Sequence, residues 1–196
     1  IKSRSHKIKS HNNNQTLAII LVSNFRRIKN IEFAIELFDI IIKNYSINIH
    51  LDIYGQAMDQ IYLEEIVLLI RSKNMDNNIS IIQNCFNIED KLTKYQLALH
   101  TSKLESGPLV LLEYMSQGMP FLTYKTGEAA EQIADHFPDL IMTDFNIDNW
   151  ANQIRKLLNS DLIMIQKKMI SYFETNYSEE EYYSKCMSIY QNILTS

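Results

Sequence analysis

Two acids and a glycine-proline turn stand out in Ser102-Lys-Leu-Glu-Ser-Gly-Pro-Leu-Val-Leu-Leu-Glu113. Glu105 and Glu113 are separated by seven residues, the first in a predicted loop and the second inside an otherwise apolar predicted helix. A carboxylate among Leu109, Val110, Leu111, Leu112 and Met115 needs a partner, because burying an ionised group unpaired costs several kcal/mol. Sugar hydroxyls would serve. At about 1.5 Å per residue, Glu113 stands roughly 8 Å along the axis from the helix start, comparable to the reach from a pyrophosphate to a ribose. The helix mouth, with free amides near Gly107, Leu109 and Val110 and a positive dipole end, suits a diphosphate. The alternative for Glu113 is a solvent-facing position on a half-exposed helix.

A second cluster, Ser23-Asn-Phe-Arg-Arg-Ile-Lys-Asn30, places Arg26, Arg27 and Lys29 together after an apolar run. Cations aimed at a diphosphate contribute on the order of 1.5 to 3 kcal/mol each through charge-assisted hydrogen bonds and can neutralise a leaving group. A solvated turn is the competing reading.

These residues acquire meaning from the elements around them. From Leu17 onward, short runs rich in Ile and Val alternate with stretches of helical spacing, which implies an α/β fold: a doubly wound parallel sheet of about six strands, Rossmann-like, with helices on its faces. Strands are predicted at 17–23, 47–54, 79–82, 97–101, 121–124 and 140–143. Helices are predicted after the first two strands, briefly at 89–96, at 108–117, and in three C-terminal segments at 147–158, 161–174 and 178–194. The first helix gathers Ile31, Ala34, Ile35, Phe38, Ile41 and Ile42 on one face. The second carries Ile61, Glu64, Glu65, Leu68, Leu69 and Ser72 around its turns. Parallel sheets bind ligands at the carboxyl ends of their strands, so the loops after Ser23, Tyr54, Ile82, Thr101 and Tyr124 are the candidate site. Gly55, Gly107 and Gly127 all fall in them, in a chain with only four glycines. His50 and His100, in or beside strands, read as structural, and Trp150 as a packing residue.

Composition sets outer limits. The 196 residues carry 19 Lys+Arg and 23 Asp+Glu, a net charge of −4, which excludes a strongly basic nucleic-acid footprint. Cys85 and Cys186 lie far apart without metal-type spacing, consistent with a reducing compartment and against a zinc site. The longest apolar run, Leu17–Val22, is far short of a membrane span, and the expectation is a cytoplasmic domain. Residues 1–16, with Lys2, Arg4, Lys7, Lys9 and an asparagine run, read as a linker or tail, leaving 17–196 as the binding domain. A first residue Ile1 rather than Met suggests a piece of a longer protein.

The whole pattern resembles the C-terminal half of a retaining glycosyltransferase of family 4, with two-domain GT-B architecture. Its anchors are the E-x7-E spacing of Glu105 and Glu113 and the continuation Tyr114-Met-Ser-Gln-Gly118-Met-Pro120-Phe-Leu-Thr-Tyr-Lys-Thr-Gly127, with Glu131 beyond. Ser23–Asn30 is similar to the family's G-R-x-x-x-x-K-N loop, and Ile53-Tyr-Gly55 to its strand closing on glycine. The resemblance implies a nucleotide-sugar donor site in which Glu105 contacts donor-sugar hydroxyls and Lys29 neutralises the departing diphosphate, making both catalytic candidates. It implies that Glu113 holds the ribose, that amides near Ser106, Gly107, Leu109 and Val110 bind the diphosphate, and that residues 83–86, Asn84 among them, cradle the base. It further implies a glycan or lipid-linked acceptor, a separate N-terminal acceptor domain, a role in bacterial surface polysaccharide synthesis at or near the inner membrane face, and neither a metal nor another cofactor.

The sequence departs from that pattern at several points. Asn24 stands where the family has an arginine, so Arg26 or Arg27 would have to replace it. Ser106-Gly107-Pro108 changes which amides are free, since proline has none. Asn84-Cys85 stands where a glycine is common. The different class of function compatible with these losses is a silent relative that recognises a protein or glycan without catalysis.

Overall fold

A computed structural model describes residues 16–45 and 47–195; the stretch read as a tail, apart from Thr16, lies outside the described residues. Six parallel strands form one sheet in the order β3-β2-β1-β4-β5-β6: β1 (Leu17–Val22), β2 (Ile49–Tyr54), β3 (Ile79–Ile82), β4 (Leu97–His100), β5 (Phe121–Tyr124) and β6 (Ile141–Met142). Ile19, Ile20 and Leu21 are consecutive and all buried, as a strand covered on both faces requires. Among the described residues there are seven α-helices: α1 (Ile31–Tyr45), α2 (Gln60–Ser72), α3 (Leu109–Ser116), α4 (Gly127–Ala134), α5 (Ile147–Leu158), α6 (Leu162–Tyr177) and α7 (Glu179–Thr195), the last of them packed on α6.

Local chemistry explains most boundaries. The Asp59, Asn146 and Asp161 side chains cap α2, α5 and α6 by accepting the amides of Tyr62, Asn149 and Met164, each at 3.0 Å. Helix α3 ends at Gly118, whose φ of 62° is the left-handed conformation that closes many helices. Helix α1 buries Ile31, Ala34, Ile35, Phe38 and Ile41 as its spacing demands, with Ile42 half-buried. Trp150 of α5 is fully buried, edge-on to Phe33 of α1 at 5.2 Å, and its indole donates to the Asp144 carbonyl.

Some expectations are corrected. Helix α2 faces the core with Tyr62, Ile66 and Ile70, while Ile61 and Leu68 are exposed. The short helix expected at 89–96 is a 3-10 segment, Ile88–Lys94. Strand β6 is two residues long, since a 3-10 turn at Pro138–Leu140 occupies its expected start. No helix is predicted from sequence between β5 and β6, where the eight-residue α4 lies, although its Ala129, Ala130 and Ile133 form a buried face. Among the described residues no helix is long and apolar enough to cross a membrane.

Candidate functional site

Strand order reverses at the β1–β4 boundary, and in open parallel sheets a crevice forms there at the carboxyl ends. A cleft of about 400 Å³ occupies that place. Its floor and walls include Asn24 and Lys29 after β1, Gly55 after β2, Cys85 after β3, and Glu105 with Gly107 after β4. Gly55 is required by contact. A Cβ at this position would lie 1.9 Å from the Ser23 carbonyl oxygen, so only glycine lets the loops after β1 and β2 meet.

The loop carrying Lys29 is fastened to the loop carrying Glu105. The Thr101 hydroxyl donates to the Lys29 carbonyl at 3.0 Å, and the Lys103 amide donates to the Ile28 carbonyl at 2.9 Å. Asn30, buried with φ 53°, turns the chain from a 3-10 turn at Arg27–Lys29 into α1. Lys29 is thereby delivered to Glu105, with its ammonium 2.5 Å from one carboxylate oxygen. The same oxygen lies 3.3 Å from Nε2 of His100, a buried residue at the end of β4. Burial opposes ionisation of Glu105, but the His100, Lys29 and Ser102 contacts outweigh it and hold the carboxyl at about 2, against an ordinary 4.5. The carboxylate is therefore charged at neutral pH and anchored on two sides.

Behind Glu105 stands α4. Its first residue, Gly127, has φ 78°, and a Cβ there would sit 2.8 Å from Pro108 and 3.0 Å from the Glu105 carbonyl oxygen. The Thr126 hydroxyl accepts the Glu105 amide, and the Ser106 carbonyl accepts the Glu128 amide. Sequence spacing did not disclose this support, because β5 and α4 reach Glu105 only through the fold.

Glu113 borders a second lobe of about 470 Å³, beside Asn87 and Glu89. Val22, Cys85, Ile88 and Val110 line both lobes, so Glu105 and Glu113 border adjoining cavities. Glu113 itself is exposed, which agrees with the solvent-facing alternative; desolvation by its surroundings, then the neighbouring Glu89 charge, raises its carboxyl above the ordinary value. No side chain caps α3, and its first intrahelical bond is from the Leu111 amide to the Pro108 carbonyl. The leading amides at Leu109 and Val110 precede that bond, and both residues, with Gly107, line the first lobe.

The structure does not bring every candidate to the crevice. Arg27 pairs with Glu65 at 2.7 Å and stacks over the Tyr62 ring, which holds it against α2. Arg26 is exposed and lines neither lobe. Neither arginine lines the cleft: Arg27, the first residue of the 3-10 turn Arg27–Lys29, is drawn to Glu65, and Arg26 precedes that turn on the exposed surface. Asn24 lines the cleft with its oxygen accepting the Gln56 amide at 3.1 Å, where it ties β1 to β2. Asn84 is exposed with φ 54° and lines neither lobe; its neighbour Cys85 lines both. Ser106 is exposed and supports α4 through its backbone. His100, read from sequence as structural, is buried and tied to Thr123, and it also faces Glu105, a contact that the sequence does not disclose. A polar side chain at the carboxyl end of an apolar central strand was the available signal.

Comparison with known proteins bears on the family and the fold. The chain is 24% identical over 143 residues to a poly(glycerol-phosphate) alpha-glucosyltransferase of Bacillus subtilis, an alignment covering 72% of this chain and 21% of that protein. It is 24% identical over 163 residues to the capsular polysaccharide biosynthesis glycosyltransferase CapH of Staphylococcus aureus, covering 81% and 43%. The crystal structure of Anabaena Alr3699/HepE in complex with UDP and glucose superposes with a TM-score of 0.78 at 16% identity, over 92% of this chain and 49% of that one. The chain thus spans less than half the length of each of these relatives. A family model described as glycosyl transferases group 1 matches residues 2–175, and with that match over most of its length the chain belongs to this family, as a Rossmann-like half of the GT-B architecture.

Proposed function

We propose that this chain is the donor-binding domain of a retaining glycosyltransferase, moving a sugar from a nucleoside diphosphate to a glycan or lipid-linked acceptor in bacterial surface polysaccharide synthesis. The observation that carries the reading is the convergence of Lys29, Glu105 and the α3 mouth on one crevice at the sheet's reversal point. Similarity to a poly(glycerol-phosphate) alpha-glucosyltransferase and to a capsular polysaccharide glycosyltransferase supports the polysaccharide setting.

In this reading the diphosphate lies at the leading amides of α3, where the helix dipole and unpaired N–H groups favour an anion. Lys29 turns from Glu105 to the phosphates and neutralises the charge that develops as the glycosidic bond to phosphate breaks, worth several kcal/mol in a site shielded from water. Glu105, ionised and acceptor-only, takes hydrogen bonds from sugar hydroxyls. Glu113 takes the ribose hydroxyls in the second lobe, with the base against Cys85 and its neighbours. These groups supply the charge complementarity themselves, so no metal or other cofactor is assigned. The acceptor is held by the rest of the full-length protein, working in the cytoplasm or at the inner membrane face.

Calorimetric titration of UDP and GDP into the protein tests the donor site: saturable binding of one is expected, and no heat with either up to millimolar concentration overturns the reading. In the full-length enzyme Lys29→Ala is expected to lower kcat by more than it raises the donor KM. The opposite split would reduce Lys29 to a binding role.

A further inference from the structure

We infer that His100 is a positioning residue for the donor sugar, holding Glu105 in place through its Nε2–H when Lys29 leaves the carboxylate for the diphosphate. The inference rests on the donor-site reading above. It starts from a competition within that reading: the Lys29 ammonium sits 2.5 Å from Glu105, and a diphosphate that draws on the same cation loosens its hold on the carboxylate. A carboxylate deprived of its main cation in a half-buried loop would swing toward water unless a second group kept it.

His100 is built for that task. The ring is 4% exposed, locked between strands, with Nδ1 2.9 Å from the Thr123 hydroxyl oxygen and Nε2 3.3 Å from Glu105. Thr123 also reaches the Tyr124 carbonyl, at 3.0 Å. That arrangement gives both ring nitrogens and Glu105 a partner in either protonation state. With a neutral ring, the Thr123 hydroxyl donates to Nδ1 and Nε2–H donates to Glu105. With a charged ring, Nδ1–H donates to the Thr123 oxygen, whose own proton turns to the Tyr124 carbonyl, and Nε2–H again donates to Glu105. Only a hydroxyl rotor moves. The donor facing Glu105 is present in both cases, so the carboxylate stays aimed into the cleft as protons come and go. The Thr126 hydroxyl fixes the backbone of the same residue by accepting its amide, which leaves the Glu105 side chain as the one element needing a hold.

The test compares His100→Asn and His100→Gln in the full-length protein. An asparagine amide overlays Nδ1 and keeps the Thr123 contact alone; a glutamine amide overlays Nε2 and keeps the donor to Glu105. The expectation is a loss of on the order of tenfold to a hundredfold in kcat/KM for the nucleotide sugar in H100N, since small misplacements of a sugar-holding group are that costly. H100Q should recover most of it, and affinity for UDP alone should move by less than twofold in both. Equal losses in H100N and H100Q, or a parallel loss of UDP affinity, overturn the inference by showing a merely structural histidine. A second readout needs no turnover: with carbon-13-labelled glutamate, the Glu105 carboxyl of the unliganded protein should titrate higher in H100N than in wild type and stay near wild type in H100Q. An unchanged Glu105 titration in H100N overturns the inference even if donor binding stands. If H100N does not fold, Thr123→Val, which unties the ring from β5, must shift both readouts in the same direction or the inference fails. Wild-type protein that binds no nucleotide sugar would sink the donor-site reading itself, an outcome seen before any variant is made.

Discussion

Replacing Glu105 by glutamine should change how stability depends on pH, and the size of the change follows from the site. The folded carboxyl titrates at about 2 instead of 4.5. A folded-state value below the unfolded one stabilises above the unfolded value and is lost as pH falls toward the folded one. Linkage converts the full difference into about 3 kcal/mol. Both partners keep some solvent contact, 23% for Lys29 and 15% for Glu105 side chains, so screening reduces this to on the order of 2 kcal/mol. The contribution is complete above about pH 5.5, and about 1 kcal/mol of it is gone by about pH 3.5. Urea unfolding of wild type and E105Q across that range measures it: the wild-type curve should fall relative to E105Q by about 1 kcal/mol. Parallel curves would show that Lys29 and His100 do not favour the charged carboxylate, and the electrostatic account of the site would be wrong.

Other outcomes test separate parts of the structure. Gly55→Ala must push apart the loops after β1 and β2, at a cost of about 3 kcal/mol or more by chemical denaturation, with loss of nucleotide binding; a stable, binding variant would contradict the close approach to Ser23. Trp150→Ala leaves a cavity between α1 and α5 and strips the Asp144 carbonyl of its donor, costing about 3 to 5 kcal/mol in the same measurement. Glu113→Ala should weaken UDP binding by about tenfold, the equivalent of one lost charge-assisted hydrogen bond, while leaving the unfolding midpoint nearly unchanged. Unaltered affinity would remove its ribose role.

The alternation of apolar runs and helical spacing was legible in the chain itself, because strands and helices of a parallel sheet bury surfaces with different periods. Strands β3 and β5 and helix α5 fall at their expected limits for this reason. The E-x7-E spacing and the glycine-proline turn also mark Glu105, Gly107 and Glu113 as candidates without coordinates, and the basic loop Ser23–Asn30 marks Lys29. Which side chains meet was not legible. Arg26, Arg27 and Lys29 are near-equivalent in sequence, yet one 3-10 turn and a left-handed Asn30 send only Lys29 to Glu105 and leave Arg27 to Glu65. His100, Thr123 and Thr126 become part of the site only because β4 and β5 lie side by side, a pairing between segments more than twenty residues apart. Periodicity reports which face of an element is buried; the direction of a charged side chain at a loop is set by contacts that close across the sheet, and those exist only once the chain has folded.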